Sequence, residues 1–144
     1  MDLSSLLKLM HERSASDLFL TAGIPPTMKV DGRTAPVSSE ALTPDSSMEI
    51  ITGMMTPAQR DEFEATRECN FAINEDGVGR FRVSAFIQRD QAGAVLRRIE
   101  AYIPSLEELN LPPILKNLAM TKRGLIIFIG ATGTGKSTSL ASMI

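Results

Sequence analysis

The chain has 144 residues, of which 43% are hydrophobic, so it can bury one modest core or two small ones. Its net charge of −2 argues against a protein that binds nucleic acid through a strongly basic surface. The N-terminus lacks the pattern of a signal peptide, and no apolar run is long enough to cross a bilayer, so we expect a cytoplasmic protein. The one cysteine, Cys69, is typical of a buried thiol in a reducing compartment.

The first hundred residues have the pattern of an α+β domain. Leucines at helical spacing predict a helix over 3–13, and Pro44 after Thr43 and Pro57 after Thr56 predict two capped helices. Strands are predicted at 16–21, 27–30, 33–37, 69–73, 80–88 and 94–99, with turns at 31–32, 76–79 and 90–93.

The last two predicted strands are rich in arginine. Alternation along 80–88 places Arg82 on the face opposite Phe81 and Val83, while the neighbours Arg97 and Arg98 must face opposite sides of their strand. An ordinary solvated face explains any single arginine. As a set, arginines fixed on strands can also clamp phosphates or stabilise the charge of a transferring phosphoryl group.

Prolines at 104, 112 and 113 predict a linker over 101–113, and a second domain then begins at 114. A short helix is predicted over 114–120. It is followed by an apolar, β-branched run that predicts a strand over 124–129.

A glycine-rich loop follows that run and precedes a helix start. It fits the pattern G-x-x-x-x-G-K-[ST], whose glycines let backbone N–H groups converge on phosphates, although a turn that binds no ligand is the alternative. Lys136 is expected to reach the β- and γ-phosphates of ATP, and the Ser137 hydroxyl to bind Mg²⁺. The predicted nucleotide-binding residues are Gly130, Ala131, Thr132, Gly133, Thr134, Gly135, Lys136, Ser137 and Thr138.

Hydrolysis requires more than this loop, namely a carboxylate for the metal and a residue that aligns water. In P-loop folds both lie downstream of the loop, and the sequence as given ends seven residues after Ser137. We therefore expect this polypeptide to be the front part of a longer protein and to be inactive as an ATPase by itself. The strand from Leu125 would then lack sheet neighbours, so its apolar residues would be exposed or would pair with another copy.

Four separated motifs resemble those of the PilT/PilU family of type IV pilus retraction ATPases. Segment 16–26 is similar to the family's S-D-L-H-L-x-x-G-x-P-P opening, and segments 81–89 and 95–99 to its F-R-V-x-x-F-x-Q-R and V-x-R-x-I signatures. Segment 111–119 resembles its linker, and 130–138 its Walker A loop, with wording most similar to the PilU branch. Phe19 departs from the histidine that the family often has there, and the family's Asp box, Walker B and His box have no counterpart in this sequence.

The resemblance implies a PAS-like N-terminal domain (1–100), a linker (101–113) and the truncated start of a RecA-like ATPase domain (114–144). It implies a hexameric motor that uses ATP and Mg²⁺ for pilus retraction and twitching motility. Its partners would be the inner-membrane platform protein and another pilus motor ATPase, at the inner face of the inner membrane, without nucleic acid. The candidate arginine fingers are Arg82 and either Arg97 or Arg98. The alternatives are a pilus-assembly or type II secretion ATPase, and a non-catalytic ring-interaction module.

Overall fold

The computed structural model describes residues 2–100, 102–131 and 134–144. The chain divides into two compact units, Met1–Glu100 and Ala101–Ile144, and residues 101–113 fall in the second. None of the helices in the described ranges combines the length and the apolar character that crossing a membrane requires.

The first unit is an antiparallel six-stranded sheet with three helices, in the strand order β3-β2-β1-β6-β5-β4. This bears out the α+β pattern that the sequence predicts. The elements are α1 (Leu3–Glu12), β1 (Asp17–Thr21), β2 (Thr27–Val30), β3 (Arg33–Pro36), α2 (Pro44–Gly53), α3 (Pro57–Thr66), β4 (Glu68–Glu75), β5 (Gly79–Gln88) and β6 (Gln91–Ile99).

The core lies between the three helices and one face of the sheet. Leucines and methionine of α1, Ile51 of α2 and Phe63 of α3 are buried in one cluster with alternate residues of the strands. On β5 these are Phe81, Val83 and Ala85, as the alternation predicts. The side chains between them, Arg82 included, therefore lie on the other face of the sheet, away from the core that the three helices form with it.

The two predicted helix starts, at α2 and α3, are confirmed in detail. Thr43 and Thr56 each accept a hydrogen bond from the backbone N–H three residues on, and Ser46 and Gln59 reciprocate with their side chains. Proline follows each cap, where its missing N–H costs nothing. These devices fix where both helices begin, and hence which of their faces meets the sheet.

The turn predicted at 90–93 is wrong by two residues. The hairpin between β5 and β6 turns at Arg89 and Asp90, which both have positive φ, and Gly93 lies within β6. The ring of Phe86 lies over Gly93, where an added Cβ would come within 2.7 Å of that ring. Gly93 thus serves close packing rather than a turn, and glycine was a misleading signal here.

Ser47 is a buried polar residue that fastens α2 to the sheet. Its hydroxyl donates a 2.7 Å hydrogen bond to the carbonyl oxygen of Ala92 on β6. We expect Ser47→Ala to lower the free energy of unfolding by about 1–2 kcal/mol, because the buried carbonyl loses a partner. Chemical denaturation measures this, with the exposed Ser39→Ala as the control. Equal stability of the two variants would contradict the prediction.

The second unit contains α4 (Ile114–Ala119) and α5 (Lys136–Ser142). The strand predicted over 124–129 is not formed, because no described segment pairs with it. Leu125 and Ile129 are 84% and 91% exposed, as expected for an apolar segment without sheet neighbours.

The cysteine of the first unit, Cys69, is buried, as the sequence predicts. Burial and the neighbouring Glu62 carboxylate raise the pKa of its thiol.

Candidate functional site

Arg82 and Arg97 are directly opposite each other on neighbouring strands. The register pairs Arg82 of β5 with Arg97 of β6, and both are exposed on the face of the sheet away from the core. Side chains directly opposite on one face of an antiparallel pair lie close together. Two of the three predicted arginines are therefore brought together.

Arg98 lies on the other side of β6. It pairs with Phe81, a core residue, and its side chain is only 16% exposed. The guanidinium bonds Glu100, while its Nε is buried and has no hydrogen-bond partner within the described part of the chain. The sequence leaves the choice between Arg97 and Arg98 open. In the structure, Arg97 shares a face of the sheet with Arg82, and Arg98 does not.

Asp17 of β1 contacts the Arg97 side chain from the neighbouring strand opposite to β5. The carboxylate oxygen Oδ1 accepts a 2.9 Å hydrogen bond from Arg97 Nε, and Oδ2 accepts a 2.8 Å bond from the Ser16 hydroxyl. Burial opposes ionisation of Asp17, but the bonds from Arg97 and Ser16 outweigh it and hold the pKa of this carboxyl below its ordinary value. The pair therefore stabilises the fold at neutral pH and loses that contribution as the pH falls through the lowered pKa.

These residues form one row across the sheet, which we call the charged row: Lys29, Asp17, Arg97 and Arg82. Register places them side by side on β2, β1, β6 and β5. The row contains three cations and one carboxylate, and of the cations only Arg97 forms an ion pair among the described residues. Like charges directly opposite each other repel, so the row favours an anion in front of the two arginines.

Sequence reasoning missed Asp17 and Lys29 as members of this row. Asp17 and Arg97 are 80 residues apart in the chain and meet only because β1 pairs with β6. The one available signal was an aspartate at the start of an otherwise apolar strand, where a carboxylate needs a partner.

The glycine-rich loop of the second unit turns back on itself. Thr134 Oγ1 donates a 2.8 Å hydrogen bond to the Ala131 carbonyl, and the Lys136 ammonium donates a 2.5 Å bond to the same oxygen. Gly135 has φ +83°, and a Cβ on Gly130 would lie 2.7 Å from Thr134 Oγ1. Both positions therefore favour glycine, as a close backbone cradle requires. Thr132 and Gly133 lie outside the described residues.

The residues of this loop fit a nucleotide and its metal. α5 begins at Lys136, directly after Gly135. The first backbone N–H groups of this helix and the Lys136 ammonium therefore come from neighbouring residues, and both can donate to phosphate oxygens. Ser137 and Thr138 in the first turn of α5 are exposed, and a hydroxyl oxygen suits Mg²⁺. The arginine pair belongs to the first unit and the loop to the second, so the two halves of the candidate site are established separately.

The chain is similar throughout to pilus motor proteins. It is 61% identical over all 144 residues to "Type IV pilus ATPase PilU" of Pseudomonas aeruginosa, and 40% identical over 144 residues to the retraction ATPase PilT of the same organism. A crystal structure of the pilus retraction motor PilT with bound ADP matches 99% of this chain, with a TM-score of 0.86 and 37% identity. These matches confirm the resemblance that the four motifs indicate.

The chain spans about two fifths of the length of these relatives: 38% of PilU, 42% of PilT and 42% of the PilT chain in the crystal structure. No protein-family model matches it.

Proposed function

We propose that this chain, which shares the sequence of the PilT/PilU family over its whole length, is the nucleotide-binding front part of a motor ATPase that powers type IV pilus retraction. The observation that carries the proposal is the match to PilU over all 144 residues of this chain, together with the bond between Lys136 and the Ala131 carbonyl in the glycine-rich segment. That PilT has been crystallised with ADP supports a nucleotide as the ligand.

ATP binds at the loop in this proposal. The backbone N–H groups of residues 130–138 and the start of α5 donate to the phosphates, and Lys136 neutralises the β- and γ-phosphates. Ser137 holds Mg²⁺, which takes its other ligands from the nucleotide and water. Residues 130–138 contain no carboxylate to align water. Hydrolysis is proposed for the natural protein in which this sequence occurs, since this chain spans only about two fifths of the length of PilU and PilT.

Arg82 and Arg97 act as the arginine fingers. Their shared face supports this pair over Arg98, whose guanidinium lies on the core side of the same strand. The charged row that contains them carries excess positive charge, and a triphosphate supplies the matching anion.

The architecture follows the same family. We assign a PAS-like fold to 1–100, a linker to 101–113 and the start of a RecA-like domain to 114–144; the TM-score of 0.86 to PilT supports this assignment. The natural protein forms a hexameric ring, uses its arginines where domains meet at ATP, and engages the inner-membrane platform protein and a second pilus motor from the cytoplasm.

The test combines a strain that lacks the gene with ATP turnover by the purified natural protein. We expect loss of twitching motility in the strain and Mg²⁺-dependent turnover by the protein. Normal twitching together with turnover would favour a secretion or assembly ATPase instead. Absence of both binding and turnover of ATP would leave a non-catalytic ring module and overturn the proposal.

A further inference from the structure

The contact between Asp17 and Arg97 uses the Nε donor of the guanidinium. Asp17 engages Nε rather than the two terminal nitrogens, at 2.9 Å, and its other oxygen is taken by Ser16. A guanidinium that is held at Nε keeps its Nη1 and Nη2 donors available for a second, bidentate partner. The contact therefore orients the side chain without consuming the groups that bind a phosphate.

Asp17 is well suited to hold its partner still. It is only 5% exposed, whereas the Arg97 side chain is 69% exposed. The backbone next to Asp17 is bonded on both sides, because Ser16 N–H donates to the Lys29 carbonyl and Arg98 N–H donates to the Ser16 carbonyl. The buried Asp17 carboxylate thus holds Arg97 at Nε, while the Nη donors of Arg97 bond no side chain within the described ranges.

We propose that Asp17 is a positioning residue that presents the Nη donors of Arg97 to the phosphates of the bound nucleotide. The proposal rests on the arginine role given under the proposed function. Arg82, the other member of the pair, forms no ion pair among the described residues. Arg97 is thus the pre-oriented finger of the two, and Arg82 must be ordered by the nucleotide itself.

The alternative is that the ion pair serves only to stabilise the fold. An ion pair whose cation is mostly exposed contributes little to stability, while a nearly buried carboxylate destabilises the fold unless its partners offset the loss of hydration. A positioning role explains this arrangement better than a stabilising role, because an arginine finger that is misplaced loses much of its catalytic effect.

A double-mutant cycle in the natural protein tests this inference. Asp17→Asn, Arg97→Ala and the double variant are compared with the wild type for kcat and KM of ATP turnover. We expect Asp17→Asn to lower kcat by about 10–100-fold with KM nearly unchanged, since the interaction acts in the transition state. In the Arg97→Ala background, Asp17→Asn should have no further effect.

Asp61→Asn is the matched control, since Asp61 is exposed on α3, and it should leave kcat unchanged. If Asp17→Asn lowers kcat equally in both backgrounds, Asp17 does not act through Arg97 and the inference is overturned, although the arginine role stands. If Arg97→Ala has no effect, the arginine role fails and the inference falls with it.

Arg97→Lys keeps the test decisive should Asp17→Asn fail to fold. Lysine retains the charge and can pair with Asp17, but it lacks a fork of donors beyond that contact. We expect Arg97→Lys to lose as much kcat as Arg97→Ala. Wild-type kcat in Arg97→Lys would overturn the inference.

Discussion

Lys136→Ala is expected to reduce ATP turnover by the natural protein by about 10²–10³-fold, because it removes a cation aimed at phosphate charge. The ammonium lies 2.5 Å from the Ala131 carbonyl oxygen, so it is already close to the loop that we propose as the phosphate site. Its loss removes the only cationic side chain within residues 130–138 from the β- and γ-phosphates. The measurement is steady-state turnover, together with the affinity for a fluorescent ATP analogue.

Lys122→Ala provides the matched control, because Lys122 is an exposed lysine of the same unit and lies outside the loop. It should turn over ATP at the wild-type rate. Circular dichroism of both variants shows whether either loses its fold. Unchanged turnover in Lys136→Ala would mean that the glycine loop is not where ATP is hydrolysed.

Arg82→Ala and Arg97→Ala are expected to have the second large effect, each lowering kcat by about 10³-fold, the lower end of the range for arginine fingers. Both side chains are exposed on the face of the sheet away from the core, where an anion can reach them. The change should appear in kcat rather than KM, since the charge that they stabilise develops in the transition state.

Arg98→Met is the internal control for this pair. Arg98 faces the core side of β6, and its buried Nε has no partner within the described ranges, so an apolar side chain of similar length suits the position. We expect its kcat to stay within about twofold of the wild type, because Arg98 lies on the opposite face of β6 from the arginine pair. A large loss of kcat in Arg98→Met, with Arg97→Ala unaffected, would reverse the assignment of the two arginines.

Local patterns in the sequence predicted the elements of the first unit well. Alternation placed Arg82 away from the core, and a threonine followed by a proline marked where α2 and α3 begin. Gly93 misled the turn prediction because its role is to admit the Phe86 ring, a contact between strands that the local sequence does not show.

What the sequence could not supply is register between distant strands. Arg97 and Arg98 are equivalent candidates until β5 and β6 are aligned residue by residue. Asp17 becomes part of the site only through the pairing of β1 with β6, which brings together residues 80 positions apart. Segment 124–129 forms no strand, and its exposed apolar side chains agree with the expectation that it lacks sheet neighbours here.

A structure of the natural protein with Mg²⁺, ADP and aluminium fluoride, which mimics the transferring phosphoryl group, would show directly which residues contact the nucleotide. We expect Lys136 and the Nη donors of Arg82 and Arg97 to contact the phosphate and fluoride groups, with Asp17 still bonded to Arg97 Nε. Phosphates bound away from residues 130–138, or Arg98 in place of Arg97 at the fluoride, would contradict this expectation.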